Sequence, residues 1–426
     1  MKVIADLHLH SRYSRAVSSR MVIPQIAEWG RKKGIDLLAT SDWTHPLWLK
    51  ELKADLKETG DGIYRCKGIK SPYFLLSTEI SSIYSQGGKL RRIHNLVFAP
   101  SFETVDKINA ELLRRGCKLM SDGRPIIGIS SRDLAALVLE IDKNCLVIPA
   151  HVWTPWFSLF GSKSGFDSLE ECFGDMSKYI YAIETGLSSS PDMNWRIKEL
   201  DKRSIVSFSD AHSPEKLGRE ATIFKIKNEK LKMKNFNYLD IRKAIIDGQI
   251  DYTIEFYPQE GKYHYTGHRN CGVRQSPNET KKLGTTCSVC GKQLTIGVMH
   301  RVEQLASRPV DFKSSNRPPY KMFVPLMEIL SESFQVGVST QKVHNEYNNL
   351  IKVFGSEFNV LIRTKPEEIA KISGEKVAEG IRKVREGDLV IEPGYDGVFG
   401  KVKIWNQEDK EGKENLKDKD KQMSLF

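Results

Sequence analysis

The sequence predicts an α/β protein with a mostly parallel sheet or barrel, followed by two smaller parts. From Met1 to about Phe224, short apolar runs alternate with helical segments, as in successive βα units. Histidines and acidic residues stand at the ends of these runs, where parallel strands would gather them at one rim. After residue 250 the chain becomes turn-rich and then helical, so a separate module and a helical domain are expected.

The first apolar run ends in His8-Leu9-His10, and a strand that ends in this way points both imidazoles to one face. One such pair is weak evidence, because a lone histidine at a strand end is usually structural. Comparable residues recur beside later runs, however: Asp42 with His45, Glu79, His94, His151, Asp210 and His212. Imidazoles and carboxylates together suit hard or borderline cations, so the joint pattern predicts a multi-metal hydrolytic centre.

Helical patterns in the first part predict helices over 24–33, 104–115 and 131–141. Between these helices the apolar runs are short and rich in β-branched and aromatic residues, which is typical of buried strands. We therefore expect residues 1–250 to form one catalytic domain, with its active groups at the carboxyl ends of the strands.

Residues 251–305 are expected to form a small zinc-binding module. His268-x2-Cys271 and Cys287-x2-Cys290 are two knuckles of the kind that a tetrahedral structural zinc needs. A short turn-rich segment has little core of its own, which favours a metal over a set of free cysteines. His264 competes with His268 for the fourth position, because it lies only four residues earlier.

Residues 306–405 are expected to form a helical, DNA-binding-like domain, with helices over 323–333, 340–354, 366–371 and 375–384. The stretch from Ile372 to Ile381 is similar to the second half of a helix-hairpin-helix, whose glycine turn can offer amides to a phosphate. An ordinary helix pair is an equal alternative. The glycine-rich stretch 394–400 lacks the spacing of a phosphate loop and is interpreted as a turn that approaches DNA.

Residues 406–426 are expected to be a disordered tail, because residues 406–421 alternate Lys, Glu and Asp with almost no apolar residue. The tether ends in a peptide that resembles those with which bacterial proteins bind the replicative sliding clamp, with Gln422 as anchor and Leu425 and Phe426 for an apolar cleft. A solvated tail has no folding reason to end in two large apolar groups.

Composition narrows the class of protein further. The 426 residues are 40% hydrophobic and contain no apolar run near 20 residues, which argues against a membrane span. A formal net charge of +11 would attract polyanions, and it makes nucleic acid the leading partner once the motifs agree. Four of the seven cysteines are scattered singly, and no signal-peptide pattern is evident, so a cytoplasmic, nucleoid-associated protein is expected.

These residues resemble the polymerase and histidinol phosphatase (PHP) superfamily, and the whole chain is similar to its endonuclease Q family. The resemblance rests on His8-Leu9-His10, Ser41-Asp42, Glu79, His94, His151, Glu184-Thr185-Gly186, Asp210-Ala211-His212, Gly218-Arg219-Glu220 and the two knuckles. It implies a distorted (β/α) barrel that holds two or three Zn²⁺, Mn²⁺ or Mg²⁺ ions. It also implies cleavage of DNA on the 5′ side of uracil, hypoxanthine, xanthine and abasic sites.

The resemblance departs from the superfamily at two positions. The usual third ligand after His-x-His would fall near Arg15 or Ala16, which cannot bind metal. Trp43 replaces a common histidine, so Asp42 or His45 is expected to substitute. The expected catalytic and metal-binding residues are therefore His8, His10, Asp42, Glu79, His94, His151, Asp210 and His212. The candidates for contact with DNA or the lesion are Trp153, Trp156, Glu184, Asn194 and Arg219, with support of the metal ligands as the other role open to Glu184 and Asn194.

Two other functions compete with a lesion-specific endonuclease. A PHP-type phosphoesterase or exonuclease would act on small phosphates or DNA ends, but it needs neither a zinc module nor a DNA-binding region. A non-catalytic DNA-binding adaptor would have no use for the clustered ligands. A metal-dependent DNA repair endonuclease is therefore favoured.

Overall fold

The computed structural model describes residues 1–226 and 236–406. The strands are β1 Lys2–Asp6, β2 Leu37–Ala39, β3 Leu56–Gly60, β4 Ile63–Cys66, β5 Tyr73–Gln86, β6 Lys89–Ala99, β7 Ile126–Ile127, β8 Leu146–Pro149, β9 Ala182–Glu184, β10 Ser204–Val206, β11 Ala221–Lys225, β12 Ile250–Glu255, β13 Thr266–His268, β14 Val273–Gln275, β15 Tyr320–Met322, β16 Val390–Glu392 and β17 Lys401–Lys403. The helices are α1 Ile23–Lys33, α2 Pro46–Asp55, α3 Phe102–Arg114, α4 Ser131–Ile141, α5 Leu169–Phe173, α6 Pro191–Trp195, α7 Tyr238–Ile246, α8 Pro277–Leu283, α9 Val298–Leu305, α10 Leu326–Phe334, α11 Gln341–Phe354, α12 Pro366–Ser373 and α13 Glu375–Glu386.

The N-terminal part, residues 1–250, is a distorted barrel. Side chains from β1, β2, β5, β6, β8, β9, β10 and β11 meet in one buried apolar cluster, which is the barrel interior. Helix α7 adds Tyr238, Ile241 and Ile245 to that cluster and closes one end of the barrel. The outer faces of the strands pack under the surrounding helices, so the strands are buried on both faces.

The strand directions are mixed, and the prediction of a mostly parallel sheet is wrong in this respect. Strands β1, β2 and β5 are parallel neighbours, as are β9 and β10. Strand β11 is antiparallel to β1, and β6 is antiparallel to both β5 and β8. The β5–β6 pair is a hairpin, because Gly87 and Gly88 both adopt positive φ and form a tight turn between two long strands.

The C-terminal helices lie close to their predicted positions. Helix α10 begins at Leu326, after the N-cap residue Pro325, which is three residues later than predicted. Gly374, with φ of 83°, separates α12 from α13, as the hairpin-like pattern requires. This domain packs on the barrel, since the rings of Trp29 and Tyr347 lie 5.8 Å apart. Within the described ranges, no helix is long and apolar enough to cross a membrane.

Candidate metal centres and nucleic-acid interface

The predicted ligands converge at the rim where β1 and its parallel neighbours end. The segment after β1 carries His8 and His10, whose ring centroids lie 5.4 Å apart. Both histidines are buried, as are Leu7 before them and Leu9 between them. The backbone N–H of His10 donates to Ala211 O at 3.0 Å, and this bond brings the Asp210 loop against the pair.

The first group of possible metal ligands is His8, His10 and Asp210, whose ligand atoms lie within 4.8 Å of one another. Asp210 Oδ1 is 3.2 Å from His10 Nε2 and 3.7 Å from His8 Nε2. All three atoms are buried without a hydrogen-bond partner of good geometry. Asp210 also adopts a φ of 46°, a conformation that is costly for a residue other than glycine and is found at functional sites.

The second group is Glu79, His94 and His151, whose ligand atoms also lie within 4.8 Å of one another. Glu79 Oε1 is 2.6 Å from His94 Nδ1 and 3.0 Å from His151 Nε2. Its other oxygen, Oε2, is 3.1 Å from His10 Nε2 in the first group. Glu79 therefore joins the two groups, with one carboxylate oxygen directed to each.

Two buried carboxylates hold the histidines of the first group from behind. His8 Nδ1 donates to Glu184 Oε1 at 2.9 Å, and Glu184 Oε2 also accepts the backbone N–H of His151 at 2.8 Å. His10 Nδ1 donates to Asp42 Oδ1 at 3.1 Å. Although burial lowers it, Glu184 and Asp42 raise the pKa of His8 and His10. A cation at Nε2 would replace the proton there while Nδ1 keeps its own, which is the usual arrangement behind metal-binding histidines.

Asp42 therefore does not occupy the position that the sequence predicted. Its Oδ2 accepts hydrogen bonds from the backbone N–H of Ser11 at 2.6 Å and from Ser14 Oγ at 2.8 Å, so both oxygens face protein donors. His45 is buried and stacks on Tyr13 with centroids 4.4 Å apart. Neither Asp42 nor His45 belongs to a tight ligand group, so nothing in the geometry supports the expectation that one of them replaces a missing ligand, and it stays a prediction.

His212 lies at the edge of the centre. Its ring centroid is 4.8 Å from that of His10, and its Nδ1 donates to the backbone oxygen of Asp210 at 2.8 Å. About a third of its side chain is exposed, whereas His8 and His10 are buried. His212 is thus near enough to serve the centre from the open side but is not part of either tight group.

The charges of the centre are strongly coupled. Burial disfavours the charged forms, but the imidazoles around Asp210 and those around Glu79 hold the pKa of each carboxyl below its usual value. Burial lowers the pKa of His94 to about 4, against the opposing effect of Glu79, so this imidazole is neutral and able to donate a lone pair.

Arg124 belongs to the centre but was missed by sequence reasoning. Its Nη1 lies 3.2 Å from Glu79 Oε2, and most of its side chain is covered. It follows Gly123 in a loop with no ligand pattern and no apolar run, so no local signal marked it. A guanidinium at this position supplies a fixed positive charge that suits a phosphate oxygen.

The candidates for contact with DNA separate by burial. Trp153, Asn194 and Glu184 are fully buried, and Trp153 Nε1 donates to Asn194 Oδ1 at 2.7 Å. Their side chains have no exposed surface in this conformation, which favours packing or support of the ligands. Contact of these three residues with DNA stays a prediction. Arg219 Nε donates to Ser209 O at 2.8 Å and holds the Asp210 loop. Trp156 and Arg219 are only partly buried, and Trp156 lies edge-on to Tyr263 at 5.4 Å.

The paired cysteines form a second kind of site. The ligand atoms of His268, Cys271, Cys287 and Cys290 lie within 4.8 Å of one another, and His268 Nδ1 is 3.4 Å from Cys290 Sγ. Strand β13 carries His268, and a short helical turn ending at Cys271 follows it. His264 is buried against Tyr265 and lies outside the group, so His268 is the histidine that the fold brings to the cysteines.

The chain has relatives along nearly its whole length. Residues 325–388 match the family model described as the MJ0043 C-terminal domain. The uncharacterized protein MJ0043 of Methanocaldococcus jannaschii is 35% identical over 271 residues, which are 62% of this chain but only 33% of that protein. The uncharacterized protein YqxK of Bacillus subtilis is 31% identical over 428 residues, which cover 94% of this chain and 99% of YqxK.

Two solved structures are similar to the whole fold. The lesion-specific endonuclease PfuEndoQ of Pyrococcus furiosus superposes with a TM-score of 0.82 and 33% sequence identity, over 96% of this chain and 98% of that one. Endonuclease Q bound to a 27-mer duplex with an abasic lesion at the active site gives the same TM-score and coverage, with 34% identity.

Proposed function

The chain belongs to the endonuclease Q family, and from that premise we propose that it nicks DNA on the 5′ side of uracil, hypoxanthine, xanthine and abasic sites. It is a hydrolase of the nuclease class, a DNA repair endonuclease that binds DNA. One observation carries the proposal: Glu79 joins two groups of ligating side chains at one rim of the barrel. Two adjoining cation positions suit displacement at phosphorus, where both the attacking and the leaving oxygen need stabilisation.

The residues present fit divalent cations. His8 and His10 offer unpaired Nε2 atoms, and Asp210 offers an unpaired Oδ1, all buried and convergent. Zn²⁺, Mn²⁺ or Mg²⁺ bound there would lower the pKa of a water molecule and neutralise the phosphate. Glu184 and Asp42 fix the two imidazoles in the ligating tautomer.

The remaining polar groups of the centre act on the substrate. Arg124 directs its guanidinium to the same space and binds a non-bridging phosphate oxygen of the scissile group. His212, at the open edge, is positioned to hold a cation or to donate a proton to the leaving 3′ oxygen.

The other two parts bind DNA and a partner. A structural Zn²⁺ in the module of residues 251–305 is held by His268, Cys271, Cys287 and Cys290. Residues 306–405 bind the duplex. The predicted clamp peptide, with Gln422, Leu425 and Phe426, lies outside the described residues. Its pattern supports recruitment to the replicative clamp, and together with a DNA substrate this favours activity at the cytoplasmic nucleoid.

The test is a nicking assay on end-labelled duplexes that carry uracil, hypoxanthine, an abasic site or no lesion, with added cations and after chelation. We expect one cut on the 5′ side of each lesion, none in the undamaged duplex and none for Asp210→Asn. Stepwise loss from DNA ends, or phosphate release from a small phosphomonoester without lesion-directed nicks, would instead establish the phosphoesterase or exonuclease alternative.

A further inference from the structure

The glycine-rich hairpin of residues 394–400 is a rigid feature that the proposed chemistry does not use. Asp396 and Gly397 at its centre adopt φ values of 41° and 88°. Tyr395 and Val398 on either side exchange both backbone hydrogen bonds, at 3.0 and 2.8 Å. A two-residue turn with positive φ at both central positions is a type I′ hairpin, for which Asp-Gly is a preferred sequence.

Backbone hydrogen bonds fasten this hairpin to the turn of residues 258–262. Gly394 N–H donates to Gln259 O at 2.8 Å, and Gly400 N–H donates to Glu260 O at 3.0 Å. A Cβ on Gly400 would lie 2.0 Å from Gln259 O, so a glycine is needed for the two backbones to approach so closely. The hairpin therefore has one fixed position on the turn.

The turn itself lies on loops that follow catalytic strands. Gly261 is adjacent to Leu187 in the loop after β9, where a Cβ would be 3.9 Å from Leu187 O. Tyr263 packs edge-on against Trp156, which belongs to the loop after His151. The hairpin is thus connected through two contact layers to the rim that carries the ligand groups.

Phe399 projects from this hairpin with 65% of its surface exposed. Lys262 Nζ lies 4.6 Å from the centroid of the Phe399 ring. The guanidinium of Arg269 lies against the turn, since a Cβ added to Gly397 would be 3.0 Å from it. The ring is therefore a flat apolar surface among cations. A strand of nucleic acid combines a polyanionic backbone with flat π-faces, and it satisfies both features at once.

We propose that Phe399 stacks on a DNA base beside the lesion and holds the duplex open while the damaged nucleotide enters the active site. This inference rests on the proposed function. Extruding a nucleotide costs unstacking and unpairing free energy, and an aromatic ring that takes over the lost stacking offsets part of that cost. The rigid hairpin matters because a ring already held in position loses little conformational freedom on binding.

The test compares Phe399→Ala, Phe399→Leu and Phe399→Trp in the full-length protein, with Leu113→Ala as control because Leu113 is 53% exposed on the outer helix α3. We expect kcat/KM on a uracil-containing duplex to fall about tenfold for the Ala and Leu variants and to stay within about twofold of wild type for Trp and for the control. Uracil in a single strand should be cut with little change, since no duplex has to be opened.

A direct readout is 2-aminopurine placed next to the uracil, whose fluorescence rises when its stacking partner leaves. Wild type should produce the rise on binding, and Phe399→Ala should reduce it. Equal kcat/KM for wild type and Phe399→Ala, or full activity of Phe399→Leu, would overturn the stacking role. Absence of lesion nicking by wild type would instead refute the proposed function, so the two failures are distinguishable.

Discussion

At the scale of single residues, the centre depends on which nitrogen of each histidine faces inward. His8 and His10 donate through Nδ1 to buried carboxylates, and the same carboxylates carry backbone bonds that keep them in place. This arrangement separates residues that would bind cations from residues that only orient them. Substitutions in the two classes should therefore have different consequences.

Removal of a ligand is expected to abolish chemistry and to spare DNA binding. Asp210→Asn and His8→Ala should reduce nicking below detection while lesion-DNA affinity stays within about tenfold, because basic surface supplies most of the affinity. Single-turnover nicking and fluorescence anisotropy measure the two properties, and Leu113→Ala on the outer helix α3 is a control. Substantial nicking by a variant with verified loss of metal would show that the centre lies elsewhere.

Glu184→Gln tests the orienting class. A glutamine can still accept from His8 on one side, but its amide nitrogen cannot accept the His151 N–H as Glu184 Oε2 does. We expect metal affinity or kcat to fall about 10- to 100-fold. Metal titration together with kcat for each lesion decides the role, since a change in lesion preference at unchanged metal affinity would mean that Glu184 reads the base.

A buried acid distant from the ligands should control how stability depends on pH. Burial raises the pKa of Glu255 to about 8, although Ser207 and Thr253 donate hydrogen bonds to Oε1, and its Oε2 has no partner among the described residues. The folded state therefore holds a proton that the unfolded chain releases near 4.5. The contribution of Glu255 to the free energy of unfolding therefore falls as pH rises from about 4.5 to about 8.

Glu255→Gln should reduce the loss of stability that occurs as pH rises. The difference in the free energy of unfolding between pH 5 and pH 8 is expected to shrink by an amount on the order of a few kcal/mol. Urea unfolding at both pH values measures it, with the exposed Glu140→Gln as control. The partner Glu220 is also buried with a raised pKa, so an unchanged pH dependence would assign the effect to Glu220 alone.

At the scale of elements, the zinc module is the part with the least core of its own. Cys287→Ser should release one zinc ion per chain and lower the melting temperature, because metal binding there is folding free energy. Zinc analysis and calorimetry measure both, and Cys117→Ser is the matched control, since that cysteine is outside the ligand group. Unchanged zinc content and melting in Cys287→Ser would reject the ligand assignment.

Periodic sequence patterns were sufficient to predict where several helices begin, but not the direction of the strands. Helices α4, α11 and α13 begin within one residue of their predicted starts, since polar caps such as Ser130 or the Gly374 break mark them in the sequence. The antiparallel direction of β6 was not predicted, because an apolar run has the same pattern in a parallel and in an antiparallel strand. The Gly87-Gly88 turn is the local feature that distinguishes the two directions.

At the scale of the whole molecule, the C-terminal helices contact both the barrel and the segment that carries the paired cysteines. The C-terminal domain packs on α1, where Lys33 Nζ lies 2.7 Å from Glu357 Oε2, and its glycine hairpin reaches the zinc module, where Arg269 N–H donates to Asp396 Oδ2 at 2.7 Å. These contacts fix the parts relative to the barrel rim. The charged tail of residues 407–426 lies outside the described residues.

Deletion of residues 422–426 should leave nicking of a short oligonucleotide unchanged and abolish clamp binding. The physical reason is that Leu425 and Phe426 would supply most of the apolar area buried in a peptide site, worth on the order of a few kcal/mol. Calorimetric titration against the clamp measures this, with Ser424→Ala as control. Equal clamp affinity for full-length and truncated protein would show that the tail is only a solvated end.

The sequence by itself determined the ligand types, the zinc knuckles and most helices, because each is encoded by spacing within a few residues. Only the tertiary structure separated ligands from supports. Asp42 and His45 look equivalent in sequence, yet one is bonded behind His10 and the other is stacked on Tyr13. Arg124 was invisible for the same reason: its role comes from proximity to Glu79, 45 residues away in the chain, and only folding creates that proximity.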